Sequence, residues 1–190
     1  MRYLLFALGE VLPAAGILLL TYLVLHRLWF RDVGRTAVCC LFSIYLCVVY
    51  TLVGLPNAAY VRFDLNVNLI PFAGFLNGLR DNVLNVLLFV PLGAFLPLLW
   101  DRFRRMKRTV LFGFGISLVI EAAQMFTYRA TDVNDLITNT LGTLLGFFLG
   151  NALRKAIPLQ PAKGRGEQSI VFGTAVCIMF FLQPFVLRLL

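Results

Sequence analysis

Six apolar runs divide the chain, at residues 3–26, 36–55, 82–100, 109–127, 132–150 and 169–189. At about 1.5 Å of rise per residue, each is long enough as a helix to cross the hydrocarbon core of a bilayer. They predict an all-α integral membrane protein, a bundle of about six transmembrane helices forming a single membrane domain over residues 1–190. Glu10 and Pro13 interrupt the first run, and PAAG has the small residues of a signal-peptide cleavage site. The run nevertheless continues through ILLLTYLVL, so it is expected to remain as an uncleaved helix. Between the second and third runs the period changes. Val61, Phe63, Leu65, Val67 and Leu69 alternate with Arg62, Asp64, Asn66 and Asn68, which predicts a short extended segment over 61–69. Hydrocarbon would leave its backbone unsatisfied. It is therefore expected at the outer surface, as a hairpin or a cap over the bundle.

Composition supports the membrane assignment, with 60% hydrophobic and 14% charged residues and a mean hydropathy of +0.86. The net charge of +8 would suit a nucleic-acid partner, but its distribution does not. Arg27, Arg31 and Arg35 form one group, Arg102, Arg104, Arg105, Lys107 and Arg108 a second, and Arg154, Lys155, Lys163 and Arg165 a third. Each group lies between apolar runs, where the positive-inside rule expects cytoplasmic loops. Loops 27–35, 101–108 and 151–168 are thus expected in the cytoplasm. Loops 56–81 and 128–131 and both termini then lie outside, and no nucleic acid is expected as a partner. The basic loops also have the chemistry to touch anionic headgroups. Cys39, Cys40, Cys47 and Cys177 all lie inside apolar runs without a CxxC spacing, so they read as small apolar residues rather than zinc ligands. His26, the lone histidine, reads as an interfacial residue.

Polar residues inside the last three of the first five runs share one end. Asp81, Asn82 and Asn85 open the third run, and Val90-Pro91-Leu92-Gly93 then predicts a bend where Pro91 frees a backbone carbonyl. Gly113, Ser117, Glu121 and Gln124 form a stripe on the fourth. On the fifth, Asp132, Asp135, Asn139, Gly142, Gly146 and Gly150 fall within a stripe of roughly 80° at 100° per residue. Its first half is polar, while its second is a small-residue groove that admits a close helix neighbour. A four-residue link makes the fourth and fifth helices antiparallel neighbours, so the groove is expected to pack on the fourth. An ionisable group at mid-membrane costs about 2.5–3.5 kcal/mol, which calls for partners or a role. Asp81, Glu121, Asp132 and Asp135 outnumber Arg80 and Arg129 by two. A raised carboxyl pKa, a bound divalent cation or a cationic ligand group would each relieve that excess. The plainer alternative is interhelical hydrogen bonding, worth about 0.6 kcal/mol per bond.

Three stretches resemble the VanZ-like family of membrane proteins. They are NLIPF at 68–72, NVLNVLLFVPLG at 82–93, and the run from Glu121 through Gln124, Arg129, Asp132, Asp135 and Asn139 to Gly142 and Gly146. The resemblance covers roughly residues 60–150. It implies a bacterial cell-membrane protein linked to resistance to glycopeptide antibiotics, especially teicoplanin and lipoglycopeptides.

The leading expectation is therefore a cell-envelope protein whose outward polar site binds a membrane lipid, a lipid-linked cell-wall precursor or a lipoglycopeptide. Its ligand-binding residues would be Asn82, Asn85, Glu121, Gln124, Arg129, Asp132, Asp135 and Asn139, with Pro91, Gly93, Gly142, Gly146 and Gly150 structural. One alternative is a membrane enzyme acting on a lipid headgroup or lipid phosphate. Glu121, Asp132 and Asp135 would then act as acid and base or hold a divalent ion, and Arg129 would hold phosphate. The site has no histidine and no nucleophile motif, which disfavours that reading. A small transporter or flippase is suggested by the Pro91 break, and a partner-binding bundle would need no ligand. No cofactor is expected, and the oligomeric state stays open.

Overall fold

A computed structural model describes residues 2–59, 61–63, 67–68, 70, 78–127, 131–157, 159–162, 164 and 166–184. Among them are six helices: α1 (Arg2–Leu25), α2 (Val33–Val53), α3 (Leu79–Leu99), α4 (Met106–Gln124), α5 (Val133–Ala156) and α6 (Gly166–Leu182). Two strands of two residues each, β1 (Val67–Asn68) and β2 (Thr131–Asp132), are the only extended elements among the described residues. The protein is all-α. The spans Leu8–Phe30, Val33–Val53, Leu79–Leu99 and Val133–Ala156 are long and apolar enough to cross a membrane, and Gly166–Leu182 is a shorter apolar helix. These spans make it a multi-pass membrane protein. Within its 19 residues α4 carries Lys107, Arg108 and Glu121.

The chain forms two compact units, Met1–Val61 with Gly164–Leu190, and Arg62–Lys163. In the first, α1 buries Val11, Ala14, Leu18 and Tyr22, an i, i+3, i+7, i+11 stripe along one helix face. Tyr22 ends that stripe in a 2.7 Å hydrogen bond with Ser43 of α2. Asp32 caps α2 by accepting the Arg35 N–H at 2.6 Å, and Gly54, at φ 67°, ends it in the left-handed conformation that glycine adopts without a Cβ clash. Arg35 reaches α6 as a fork, with Nη2 donating to Glu167 Oε1 at 2.6 Å and Nε to Oε2 at 2.9 Å. His26 meets Thr36 Oγ1 at 2.9 Å. Cys39, Cys40 and Cys47 are buried, whereas Cys177 is exposed.

The second unit is built on α5. A Cβ added to Gly142, Gly146 or Gly150 would run into the backbone carbonyl of Val86, Val90 or Ala94 respectively. The numbers advance together, so α3 and α5 run parallel, and their backbones touch. A Cβ on Gly93 would lie 2.8 Å from the Thr143 carbonyl carbon and 3.0 Å from the Gly146 Cα, so the clearance is reciprocal. The glycine groove therefore receives α3, not α4 as the short link suggested. The link fixes which helices are neighbours but not which stripe each presents. The stripe that permits backbone contact is taken by the helix with a matching gap at Gly93. α4 instead meets the adjacent stripe, Asn139 and Thr143, with Gly113 making room for the Thr143 side chain. α3 is one continuous helix through both Pro91 and Pro97.

The extended segment also differs from expectation. Among the described residues of 61–69, Val67–Asn68 is a strand. It pairs in parallel with Thr131–Asp132, Val67 opposite Thr131 and Asn68 opposite Asp132, so there is no hairpin among the described residues. Residues 61–63 have no regular structure, and 64–66 and 69 lie outside the described residues. The partner strand exists because Asp132 is not the first helical residue. It is the N-cap of α5, with extended backbone at φ −127° and ψ 127°, and extended backbone can pair.

Candidate functional site

The antiparallel α4–α5 pair and the parallel α3–α5 pair together bring the start of α3, the end of α4 and the start of α5 to one end of the second unit. The polar residues expected at the site are distributed over that end. Asn82, in the first turn of α3, is buried, with its N–H donating to Gly78 at 2.9 Å. Asn85 is half-buried one turn later, and Asp81 is exposed. Glu121 and Gln124, in the last turn of α4, are 5% and 4% exposed. Asp132 and Asp135 are half-buried at the start of α5, and Asn139 is buried one turn further in. Arg129 lies outside the described residues.

Hydrogen bonds join part of this set directly. Glu121 Oε2 accepts the Asp132 N–H at 3.0 Å, and the Glu121 carbonyl accepts the Thr131 hydroxyl at 3.0 Å. Asp132 Oδ1 accepts the Asn134 N–H at 2.8 Å, which caps α5. Asp132 Oδ2 accepts from the Asn68 amide at 3.2 Å, across the strand pair. Thus Asp132 ties together β1 and the cap of α5 through its carboxylate and, through its backbone N–H, the end of α4. Hydrogen bonds to an ionised carboxylate are about twice as strong as neutral ones, which suits a network of this size at the end of an apolar bundle. Deeper in, Asn139 donates to Ser117 Oγ at 2.9 Å. Its Oδ1 is buried and takes no hydrogen bond among the described residues. On the α4 side, the Arg62 N–H donates to Phe126 at 3.0 Å, and the Phe63 and Phe126 rings lie 5.6 Å apart.

Three members of this network, Asn68, Thr131 and Asn134, were not among the residues singled out from sequence. Asn68 occupies a polar position of the period-two alternation, and a strand partner would have given it a role. Asn134 lies off the Asp132–Asp135–Asn139 stripe, so helical spacing passes over it. An aspartate two residues before it, just ahead of an apolar helix, is the N-cap signature that finds it. Chemically the end is rich in acceptors, with carboxylates at Glu121, Asp132 and Asp135 and amides at Asn68, Asn82, Gln124 and Asn134. Of these, Asp132 and Asp135 are half-buried and can accept from hydroxyl or amine donors, whereas Asn82, Glu121, Gln124 and Asn134 are buried. Among the described residues, no three His, Cys, Asp or Glu side chains converge as metal ligands.

Comparison with known proteins adds two findings. The profile of the VanZ/LLP1 family matches residues 40–154, from within α2 to nearly the end of α5. That span holds every residue of the network above and leaves α1 and α6 outside it. Protein VanZ of Enterococcus faecium is 37% identical over 87 residues, which are 44% of this chain and 52% of that protein. The chain thus spans about half the length of that curated relative. No solved structure matches.

Proposed function

The chain belongs to the VanZ/LLP1 family, and from that premise we propose that it is a bacterial envelope protein whose acceptor-rich end binds the polar headgroup of an amphiphile. The ligand is a membrane lipid, a lipid-linked cell-wall precursor or a lipoglycopeptide, and binding it lowers susceptibility to glycopeptide antibiotics such as teicoplanin. In this reading all six helices cross the membrane. The basic segments 27–35, 101–108 and 151–168 face the cytoplasm, and the Glu121–Asp132–Asn68 end faces outward, where precursor and drug meet.

The observation that carries the reading is the hydrogen-bonded chain from Asn68 through Asp132 to Glu121, at the end of an otherwise apolar bundle. Buried polar groups are costly in such a setting unless they are paired or put to use. Asn85, Gln124, Asp135, Asn139 and Arg129 complete the proposed binding surface. Arg129 supplies the cation that would hold a phosphate or carboxylate.

The test is to express Asp135→Ala and Arg129→Ala in a glycopeptide-susceptible Gram-positive host. Resistance, binding of a labelled lipoglycopeptide and the amount of protein in the membrane are measured together. The expected result is loss of resistance and of binding at unchanged protein level. Wild-type behaviour of both variants would sink the proposal.

A further inference from the structure

The other end of the second unit carries the opposite charge. It comprises the connection from α3 to α4 and the end of α5. The sequence places Arg102, Arg104, Arg105, Lys107, Arg108, Arg154 and Lys155 there, with Asp101 as the lone acidic residue of segments 101–108 and 151–162. Asp101 is already paired with Arg104 at 3.3 Å, on a surface where such a pair contributes little. Arg102 lies over the Phe103 ring, 4.7 Å from its centroid. Arg105, Lys107 and Arg108 are exposed and make no ion pair among the described residues.

Their position on α4 makes them unusual. Arg105 is the N-cap and forms no side-chain cap, and the first turn has no acidic residue. Cations at a helix N-terminus oppose the helix dipole, which favours anions there. Arg154 and Lys155, in contrast, lie in the last turn of α5, where the dipole welcomes them. The three α4 cations are thus arranged against their own helix, and an anion brought from outside relieves that conflict. The neighbourhood also says what kind of anion. α3 and α5 are long and apolar enough to span a membrane, and these cations lie where those spans end. Met106, Leu111 and Leu153 are exposed beside them. Long basic side chains at such a boundary keep their stems in the apolar layer and extend their heads to the headgroups.

We propose that this basic end is a docking surface for the phosphodiester headgroups of anionic phospholipid, centred on Arg105, Lys107 and Arg108. Arginine's planar fork matches two phosphate oxygens at once, and the lysine adds a point charge. The proposal is independent of the ligand at the opposite end.

Native mass spectrometry of the full chain, released from bilayers of phosphatidylcholine with and without phosphatidylglycerol, tests it. The wild type should retain phosphatidylglycerol in preference to phosphatidylcholine. The triple substitution Arg105→Gln, Lys107→Gln, Arg108→Gln should reduce that retention at least about ten-fold, given about five-fold per surface charge. Arg105→Lys with Arg108→Lys, which keeps the charge and removes the forks, should lose less than the triple variant. Wild-type retention should also fall as salt shortens the screening length, a readout that needs no variant. Equal retention by wild type and the triple variant overturns the proposal, as does retention insensitive to salt. Full displacement of the lipid by inorganic phosphate also overturns it, in favour of a site for free phosphate.

Discussion

Replacing Gly146 by alanine tests the architecture at its tightest point. A Cβ at Gly146 would fall 2.9 Å from both the Gly93 Cα and the Val90 carbonyl carbon, and the Val90 oxygen is closer still. Ordinary carbon contact begins near 3.4 Å. The α3 and α5 backbones must therefore separate by about 0.5 Å or more, and neither partner atom is a side-chain end that could rotate aside. Overpacking of this kind costs about 1–3 kcal/mol, and a backbone-on-backbone clash belongs at the upper end. Alanine returns up to about 1 kcal/mol because it favours the helix over glycine. The net loss is about 2 kcal/mol.

Gly115 on α4 is the matched control, since a Cβ there meets nothing within 4 Å. Gly115→Ala keeps the helix-propensity gain without the clash, so the two variants differ by about 3 kcal/mol. In a protein of 150–250 residues, 1 kcal/mol moves the melting temperature by about 2–4 °C. Thermal unfolding of the purified protein in detergent should thus put Gly146→Ala about 6–12 °C below Gly115→Ala. Equal melting temperatures, or Gly146→Ala the higher, would refute close packing of α3 on the glycine groove. A Cβ on Gly113 would run into the Thr143 Oγ1 and Cγ2 and lie 2.8 Å from its Cβ. That side chain is buried and β-branched, so Gly113→Ala should also cost about 1–3 kcal/mol.

Other substitutions probe the polar contacts. Arg35→Ala strands Glu167, whose side chain is 9% exposed. It should lower stability by about 3–5 kcal/mol in a thermal melt, more than the double variant with Glu167→Ala, which leaves no unpaired charge. Glu121→Ala leaves the Asp132 N–H without its 3.0 Å acceptor and should cost about 1–3 kcal/mol. Glu121→Gln retains an acceptor oxygen and should recover most of that loss in the same assay. Asp81 is exposed, so Asp81→Ala should stay within about 0.5 kcal/mol of wild type.

The helices were legible because apolar run length alone decides them. The run at 36–55 became Val33–Val53 and that at 82–100 became Leu79–Leu99, each within a few residues. The glycine spacing was equally legible as a groove, but its occupant was not. A stripe of small residues states that some backbone comes close, and only the reciprocal gap at Gly93, two helices earlier, says which. The strand pair was half legible. Alternation marked the segment around Val67–Asn68, whereas nothing local marks Thr131–Asp132, whose extended backbone follows from Asp132 serving as a cap. Asn134 was missed because it lies about 100° around the helix from Asp135, off the polar stripe, and only the capping role of Asp132 brings it into the network.

That role of Asp132 decides how the site can be tested. Its side chain accepts the Asn134 N–H and the Asn68 amide, and its own N–H is held by Glu121. Losing the cap alone costs about 1 kcal/mol, and losing the Asn68 contact releases β1 from β2. An Asp132→Ala variant would therefore disturb three elements at once, and lost resistance would not distinguish a missing ligand contact from a loosened end. Asp135 stands one turn on, half-buried, with its carbonyl engaged by Thr138 at 3.2 Å, and the side chain that caps the helix is that of Asp132. Its substitution changes the charge of the end while the cap and strand pair remain. If Asp135→Ala abolishes lipoglycopeptide binding while its melting temperature matches wild type, the carboxylate acts on the ligand. If binding falls only in variants that also melt early, the polar end is a clasp between helices and the ligand site lies elsewhere.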